Sequence, residues 1–600
     1  MSTTAQLFRQ AVQAHQAGRL DEAEILYRNI LQTDPRHHGA WHLLGVAAYQ
    51  TQKPREAVEH IGTAIGLCHT EATYHRHLAA AYVALEDWQA ARQSLEAVNR
   101  LIPGQFESCL QLGQVLTRLQ SWDEAAFFLG QAVKLAPRNA AAWHELGLVC
   151  EHQGRRDDAR AALKQSLQFA PSNPAVWNQL GTLWQEQGQL VEALTCYRSA
   201  LEIDPRFVAA WANCGSIFQL QGDAREAANC YARALKIDPH HLNAWNNRGV
   251  ILKDRGEFDE AFECFEKCLV IQPDHADAHF NRSLLKLQRG DFRDGWEEYS
   301  WRWRTPTFGG PPTNFPSWGG PATNAAHVWL FAEQGLGDEI QFAGCFADLV
   351  ERRIKCTIEC DSRLQPLFER SFPSLTFVSR PAEAQAISRF PSETVQAPIG
   401  DLPKWFRTDE PSFPRHAGYL IADTSLREPW RSRVRTGGEA KLNVGMSWQG
   451  GKDPIARRQR STSLSDWEPL FQQAEIEWWN LQHGSCRDEW NEFRDIRGLN
   501  SLRPTPDFDP LQEQESLAAL IAELDLIISI DNAVVHLAGA LGRPAWVLLP
   551  AVADWRWQLD RDDSLWYPSL KLFRQKSPQN WADVFREVAL LLDRRSASKG

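Results

Sequence analysis

Polar residues that could bind an anion follow directly on an apolar run near the C-terminus. Residues Leu526–Ile530 are rich in β-branched side chains, which predicts a buried parallel strand. Asp531, Asn532 and His536 lie at its carboxyl end and in the first turns of a helix predicted over residues 534–541. Ligands of open α/β sheets bind at this edge, and helix N-termini attract phosphate through free N–H groups and the helix dipole. The pattern therefore predicts an anion site here.

A second candidate group lies on a glycine-containing turn. Gly335, Gly337 and Asp338 follow a strand predicted over residues 328–332 and precede a helix predicted over residues 339–350. Glycine allows close backbone approach, and the Asp338 carboxylate would lie at the edge of a cleft. The same position also suits an Asp that caps the following helix. Both roles remain open for Asp338.

Cations and amides follow the strand predicted over residues 443–448. Ser447 begins the segment where a phosphate loop would lie, and Lys452 and Arg460 follow it. Positive charge near a diphosphate would stabilise it as it leaves. The alternative is a solvated basic loop. Gln482 ends the next predicted strand at the same edge, where it could contact a nucleotide base.

The first half of the chain is an array of sequence repeats. Aromatic, glycine, alanine and proline positions recur every 34 residues, among them Trp143, Trp177, Trp211, Trp245, Gly147, Gly181, Gly215 and Gly249. This is the tetratricopeptide pattern of paired antiparallel helices. It predicts eight repeats and a partial capping repeat over residues 1–304, forming a right-handed superhelix with an inner groove.

The sixth position of each repeat faces that predicted groove. It carries Gln111, Glu145, Gln179, Asn213, Asn247 and Asn281 in units four to nine. Arrays of this kind in O-GlcNAc transferases use asparagines at this position to line the groove. A carboxamide can donate to and accept from a peptide backbone at once. Asn213, Asn247 and Asn281 therefore indicate a peptide-binding groove, and the alternative is a row of solvated polar residues.

The second half has the alternating pattern of an α/β fold. A Pro- and Gly-rich segment over residues 305–325 predicts a linker that packs on its neighbours. Two Rossmann-like lobes are predicted over residues 326–440 and 441–578, followed by a terminal helix and tail over residues 579–600. Each lobe begins with a strand and a polar loop, which suggests that the two lobes face a cleft.

Composition limits the class of function. The 600 residues carry a formal net charge of −11, which argues against a general nucleic-acid binder but leaves room for a local basic patch. The start of the sequence has no apolar signal core, and no window approaches the roughly 18 apolar residues of a membrane span. The 12 cysteines are scattered, which predicts reduced thiols and a cytoplasmic setting.

Two motifs in the second half resemble a known family. Residues 335–338 (Gly-Leu-Gly-Asp) and residues 529–544 are similar to the two-lobed GT-B glycosyltransferases, and most similar to the bacterial ADP-heptose:lipopolysaccharide heptosyltransferase-like group. That group also occurs fused to tetratricopeptide arrays. The resemblance implies that a sugar moves from a nucleotide-diphosphate donor with inversion, with the donor in the second lobe and the acceptor facing the first.

The resemblance also assigns roles to residues. Asp338 would be the general base, and Asp531, Asn532, Ala533 and His536 would meet the donor. A basic residue would contact the diphosphate, with Arg460 preferred and Lys452 next. His536 could instead be a buried structural histidine. No cofactor or metal is implied, although Asp560 and Asp562 form a D-x-D pattern.

Three functions remain open at this point. The first is a nucleotide-sugar glycosyltransferase that modifies a protein or peptide held by the repeats. The second is a non-catalytic scaffold with a degenerate glycosyltransferase-like half. The third is a glycan-assembly enzyme whose repeats only bind partners. No residue separates uracil, adenine and guanine recognition, so the sugar and the nucleotide stay open.

Overall fold

The computed structural model describes residues 4–323, 325–381, 387–436, 441–451, 457, 460–473, 475–483 and 486–597. The chain divides into two compact units. The first comprises Met1–Gln221 and Lys236–Asp238, and the second comprises Gly222–Leu235 and Pro239–Gly600. The boundary predicted at residue 304 lies inside the second unit, which contains the last two repeats and both sheets.

Pairs of helices build the first unit. Short turns join the two helices of a pair, and several of these turns contain a residue at positive φ, such as Gly18 or Gly154. The helices are α1 (Thr4–Gln16), α2 (Leu20–Thr33), α3 (His38–Gln50), α4 (Pro54–Leu67), α5 (Ala72–Ala84), α6 (Trp88–Leu101), α7 (Phe106–Arg118), α8 (Trp122–Leu135), α9 (Ala140–His152), α10 (Arg156–Phe169), α11 (Pro174–Glu186), α12 (Leu190–Ile203) and α13 (Val208–Gln221). Helix α14 (Ala224–Ile237) contains residues of both units.

The recurring Trp and Pro residues are partners in one hydrogen bond. The indole N–H of Trp143 donates to the carbonyl oxygen of Pro137 at 2.8 Å. The same bond spans six residues in the pairs Trp41–Pro35, Trp177–Pro171, Trp211–Pro205 and Trp245–Pro239. It holds the first helix of each of these repeats against the turn before it. Close packing explains the glycines, since a Cβ on Gly181 would lie 2.6 Å from Cε1 of Tyr197.

The second unit begins with the last repeats and continues into the α/β half. The repeat helices are α15 (Leu242–Asp254), α16 (Phe258–Ile271), α17 (Ala276–Gln288) and α18 (Phe292–Tyr299). The later helices are α19 (Leu336–Ala343), α20 (Phe346–Glu351), α21 (Gln365–Ser371), α22 (Leu402–Phe406), α23 (Thr424–Arg435), α24 (Leu464–Phe471), α25 (Cys486–Arg497), α26 (Gln514–Glu523), α27 (Ala533–Ala540) and α28 (Ala582–Ala597). Single 3₁₀ turns lie at Ser300–Arg304, Ile399–Asp401, Glu410–Ser412 and Trp555–Trp557. Among the described helices, none has both the length and the apolar composition needed to cross a bilayer.

The first sheet along the chain is parallel and has four strands, as the β-α alternation predicts. Its strands are β1 (His327–Phe331), β2 (Cys356–Cys360), β3 (Thr376–Ser379) and β4 (Thr394–Pro398), in the order β3-β2-β1-β4. The Pro- and Gly-rich segment lies along the outer edge of β4, where the N–H of Trp318 donates to the carbonyl oxygen of Gln396 at 2.7 Å. That segment is therefore packed on the sheet.

A second parallel sheet follows in the described part of the chain. Its strands are β5 (Leu442–Ser447), β6 (Ile476–Asn480), β7 (Leu526–Ile530), β8 (Ala545–Leu549) and β9 (Leu570–Arg574), in the order β6-β5-β7-β8-β9. The direction of winding reverses between β5 and β7, so a crevice opens at their carboxyl ends. The α/β class of the second half is confirmed by these two sheets.

The last repeat is docked on the α/β half within the second unit. Trp296 of α18 is buried, and its indole N–H donates to the carbonyl oxygen of Arg407 at 3.0 Å. Its ring meets the rings of Trp555 and Trp566 edge-on. The side chain of Gln288 donates to the carbonyl oxygen of Ala553 at 3.1 Å. The last repeat therefore shares one hydrophobic core with both sheets.

A buried ion cluster fixes the chain after that repeat. Arg302 has no exposed surface and forms two hydrogen bonds to Glu333, at 2.6 and 2.8 Å. It also donates to Asp401 at 2.7 Å and to the carbonyl oxygen of Tyr299 at 3.0 Å. Glu333 in turn accepts the N–H of Gly400 at 2.8 Å. Every charge of the cluster therefore has a partner, as burial requires.

We predict that Arg302→Ala will destabilise the second unit by about 3–5 kcal/mol, because it leaves Glu333 and Asp401 buried without their cation. The midpoint of urea unfolding of the full chain measures this effect. Arg304→Ala is the matched control, since Arg304 is an exposed arginine of the same 3₁₀ turn. Equal midpoints for the two variants would contradict the role of the cluster.

Candidate functional site

Asn532 holds the carboxyl ends of β5 and β7 together. Its Oδ1 caps α27 by accepting the N–H of Val534 at 3.0 Å. Its Nδ2 donates to Oγ of Ser447 at 2.7 Å and to the carbonyl oxygen of Gln449 at 3.2 Å. The predicted residues Asn532 and Ser447 thus meet, and their side chains bond to each other. Ala533 is the first residue of α27, so its backbone lies at the helix N-terminus.

Gln482 connects the carboxyl ends of β5 and β6 in a similar way. Its Oε1 accepts from the hydroxyl of Ser447 and from the N–H groups of Trp448 and Gln449, at 2.8, 2.9 and 2.8 Å. Its Nε2 donates to the carbonyl oxygen of Gln449 at 3.1 Å. The side chain is buried and shapes the loop after β5. Contact between Gln482 and a nucleotide base stays a prediction.

A chain of alternating charges links the two sheets. Arg460 lies 3.4 Å from Asp531 and 3.9 Å from Asp554. Asp554 lies 2.7 Å from Arg556, which donates to Asp338 at 2.6 Å. The predicted residues Asp338, Asp531 and Arg460 therefore belong to one group. Lys452 lies outside the described residues.

Asp338 occupies the third position of α19 and serves as a cap. Its Oδ2 accepts the N–H of Gly335 at 3.1 Å, while its Oδ1 accepts from Arg556. Burial raises the pKa of Asp338 above the usual range for aspartate, and Arg556 and the Gly335 N–H oppose that rise. A carboxylate with a raised pKa is a stronger base, so capping and base chemistry are compatible at this residue.

His536 is buried on α27 beside the glycine turn. Its Nδ1 lies 3.0 Å from the hydroxyl of Tyr567, and its ring stacks on Trp557. Burial, and next the charge of Arg556, lower the pKa of His536 to about 3. The ring is therefore neutral at physiological pH. A Cβ on Gly337 would lie 3.0 Å from Cδ2 of His536, so Gly337 allows α19 and α27 to meet.

A cavity of about 230 Å³ adjoins the charge chain. Arg460, Asp554 and Gln575 line the side formed by the second sheet. Lys253 and Gln288 line the opposite side and belong to the last two repeats. Sequence reasoning missed Arg556, Lys253 and Gln288 as site residues. Arg556 lies between Trp555 and Trp557 after β8, and an arginine flanked by aromatic residues is also typical of packing, so its charge was not a clear signal.

The predicted groove asparagines have internal partners. Nδ2 of Asn213 donates to Oδ1 of Asn178 at 2.9 Å, and Nδ2 of Asn281 donates to Oδ1 of Asn246 at 3.1 Å. Oδ1 of Asn247 accepts from Asn246 at 3.3 Å. A carboxamide nitrogen has two hydrogens and its oxygen two lone pairs, so each side chain keeps part of its capacity for a peptide.

Within the described residues, no group of three or more His, Cys, Asp or Glu side chains is arranged to hold a metal ion. The cysteines whose side chains the structure describes are free thiols.

Two family models match the helical part of the chain. The model of the cilia and flagella-associated protein 70 C-terminal domain matches residues 3–206, and a tetratricopeptide repeat model matches residues 215–286. The tetratricopeptide prediction is confirmed by these matches. Both end before β1, so they concern the repeats and not the candidate site.

One curated relative matches about half of the chain. Protein FlbA of Caulobacter vibrioides (strain ATCC 19089 / CIP 103742 / CB 15) is 28% identical over 318 residues, which are 51% of this chain and 53% of FlbA. The chain thus spans about half the length of this relative.

Solved structures also resemble parts of the chain. MamA protein has 21% identity and a TM-score of 0.27, covering 28% of this chain and 92% of MamA. YrrB has 23% identity and a TM-score of 0.28, covering 31% of this chain and 97% of YrrB. The Cut9–Hcn1 chain has 15% identity and a TM-score of 0.33, covering 46% of this chain and 55% of that chain. Likenesses of this size carry no argument about binding or activity.

Glu339 follows Asp338 on α19 and is 2% exposed. Its Oε2 accepts the N–H of Asp361 at 2.8 Å, and Arg380 lies 3.8 Å from its Oε1. Burial raises the pKa of Glu339 to about 7. The folded state therefore binds this proton more tightly than the unfolded state. The resulting stability is fully present below the unfolded pKa of 4.5 and is lost as the pH rises through about 7.

We predict that Glu339→Gln, which is neutral at every pH, will gain stability relative to wild type as the pH rises from about 5 to about 8.5, by up to roughly 3 kcal/mol. Thermal unfolding of both proteins across this range measures the difference. A difference that stays constant with pH would contradict the buried carboxyl as its source.

Proposed function

We propose that the protein is an inverting glycosyltransferase of the GT-B type. In this proposal it moves a sugar from a nucleotide-diphosphate sugar to a protein or peptide recruited by the repeats. The observation that carries the proposal is the chain of charges from Asp338, at the edge of the first sheet, to Asp531, at the edge of the second. The resemblance of residues 335–338 and 529–544 to glycosyltransferases supports it.

The proposed reaction is a single displacement. An acceptor hydroxyl oxygen bonds to the anomeric carbon of the sugar while the bond from that carbon to the diphosphate oxygen breaks. The hydroxyl proton passes to Asp338, and the diphosphate leaves with the electron pair. Attack from the side opposite the leaving group inverts the anomeric carbon. Each oxygen of Asp338 carries two lone pairs, so its bonds to Arg556 and Gly335 leave room for the proton.

Positive groups near the second sheet would stabilise the leaving diphosphate. Arg460 is partly exposed and lines the cavity beside β8, so an anion can reach it. The N-terminus of α27 adds the backbone N–H of Ala533 and the positive end of the helix dipole. In this proposal these groups supply the positive charge that other glycosyltransferases take from a metal ion. Neutral His536 contributes shape and hydrogen bonding without adding charge.

The repeats supply the reason to propose a protein acceptor. The half-buried carboxamides of Asn213, Asn247 and Asn281 recur at the same repeat position and keep hydrogen-bonding capacity. The last two repeats line the cavity through Lys253 and Gln288, so a bound acceptor would lie close to the donor. A cytoplasmic setting is part of this proposal, since nucleotide sugars and free thiols are compatible there.

One observation favours the scaffold as a second candidate. Every charged residue of the charge chain already has an ion-pair partner within that chain. These residues are Asp338, Asp531, Asp554, Arg460 and Arg556. A degenerate site that no longer binds a donor would also be expected to neutralise its charges internally. Donor binding separates the two functions.

We predict that Asp338→Asn will lower sugar transfer by about 10²–10⁴-fold, because the amide cannot take the acceptor proton. Donor binding should persist, because the amide oxygen can still accept the N–H of Gly335. Transfer assays and thermal shifts with UDP-, GDP- and ADP-sugars measure both properties, since a bound donor raises the unfolding temperature. Loss of donor binding in this variant would contradict the role of Asp338 as the base.

Matched variants sharpen this test. Glu369→Gln removes an exposed carboxylate on α21 and should keep full transfer. Arg460→Gln should reduce the thermal shift produced by the donor, whereas Arg457→Gln removes a nearby exposed guanidinium and should not. If no nucleotide sugar stabilises the wild-type protein, the scaffold function is favoured.

We predict that Asn213→Ala, Asn247→Ala and Asn281→Ala in combination will raise the KM for a protein acceptor by about tenfold or more, through lost hydrogen bonds. Hydrolysis of the donor by water should not change. The control combines Asn178→Ala with Asn246→Ala, which removes the internal partners but keeps the groove carboxamides. An equal rise in KM for the control would mean that internal pairing, and not acceptor recognition, explains the effect.

A further inference from the structure

A second cavity lies at the opposite edge of the second sheet from the charge chain. Its volume is about 490 Å³. It adjoins the amino ends of β5, β7 and β8, whereas Asp531 and Arg460 lie at the carboxyl ends. Its charged lining residues are Arg427, Arg431, Arg435, Lys441, Arg543, Glu523 and Asp525. Five cations therefore face two carboxylates, in a protein whose net charge is −11.

The two carboxylates are already engaged. Glu523 accepts from Nε of Arg427 at 2.7 Å and from Nε and Nη2 of Arg431 at 3.2 and 3.3 Å. Asp525 accepts the N–H of Asn443 at 2.8 Å. One carboxylate is thus shared by two guanidinium groups. Arg431 also lies 2.9 Å from Glu428, and Lys441 lies 3.5 Å from Glu477. Arg435 and Arg543 are the lining cations without an ion pair to a described carboxylate, so the excess of positive charge around the cavity rests on them.

Arg543 has an incomplete set of hydrogen bonds. Its Nη2 donates to the carbonyl oxygen of Leu524, while its buried Nε has no partner among the described residues. Burial lowers the pKa of Arg543, which reflects the cost of a partly desolvated cation. Arg435 is exposed on the last turn of α23 and forms no ion pair with a described residue. An anion in the cavity would give Arg543 a further hydrogen-bond acceptor and would give Arg435 an ion-pair partner.

We propose that this cavity binds a compact polyanion of the phosphoanhydride class, either inorganic pyrophosphate or the phosphate chain of a nucleotide. Guanidinium groups bind phosphate oxygens in pairs, and several cations around a concave surface favour a small ligand with several charges. A nucleic-acid duplex is too wide for a cavity of this volume. A bound anion would connect α23 to Lys441 and Arg543, and so stabilise the fold.

The test is the binding of inorganic pyrophosphate to the full chain, by calorimetry and thermal shift at constant ionic strength. Arg435→Gln combined with Lys441→Gln should weaken binding by about tenfold or more, because two charge-assisted contacts are lost. The matched control is Arg433→Gln, which removes an exposed arginine of α23 that does not line the cavity and lies over Trp430. It should keep the wild-type affinity.

Further measurements separate this cavity from the proposed donor site. Arg460→Gln should still bind pyrophosphate at this cavity, because Arg460 lies at the other edge of the sheet. Adding Arg435→Gln and Lys441→Gln to that variant should weaken the remaining binding by the same factor as in the wild-type protein. Tighter binding of UTP than of pyrophosphate, lost in the double variant, would support the cavity and identify a nucleotide as the source of the phosphates. Equal stabilisation by sulfate, or equal affinity of the double variant and wild type, would overturn the proposal. Binding to phosphatidylglycerol vesicles without any response to pyrophosphate would overturn it as well.

Discussion

Arg302 and its two carboxylates determine where the candidate site lies. The guanidinium loses all contact with water, and only Glu333, Asp401 and a carbonyl oxygen offset that loss. Glu333 belongs to the same turn as Gly335 and Asp338. The cluster therefore fixes the end of the repeats, the turn after β1 and the 3₁₀ turn after β4 as one piece. A buried ion pair adds little net stability, but it allows only one arrangement of these three segments.

A strand was predictable from the sequence where apolar residues dominate it, and not where charged residues interrupt it. The predicted bounds of β7 match the structure, because this strand is rich in apolar β-branched residues and is buried on both faces. Strand β9 was missed because Lys571 and Arg574 interrupt its apolar residues at the edge of the sheet. The helix predicted over residues 339–350 is broken at Gly344, whose carbonyl oxygen accepts from Arg407 at 2.8 Å. A contact between residues so distant in sequence has no local signal.

The residues of the candidate site also differ in whether the sequence alone could predict them. Asp338 and Asp531 were predictable because each follows a buried strand at the edge where ligands bind. Arg556 was not, since its bond to Asp338 spans 218 residues and depends on how the loop after β8 folds back. Ser447 and Gln482 were placed at the correct edge, yet their side chains bond to each other and to the loop. Sequence gives the edge on which a residue lies, while packing decides which way its side chain points.

The Trp–Pro hydrogen bond of the repeats suggests a way to recognise degenerate repeats from sequence. What the bond needs is a ring N–H six residues after a carbonyl group, and neither tryptophan nor proline is essential to that geometry. In the third repeat, His75 lies 3.2 Å from the carbonyl oxygen of His69, and in the ninth, His279 lies 2.8 Å from that of Pro273. Both repeats lack the tryptophan, and both keep the contact. A search for a ring donor at this spacing would recover units that a search for residue identity passes over.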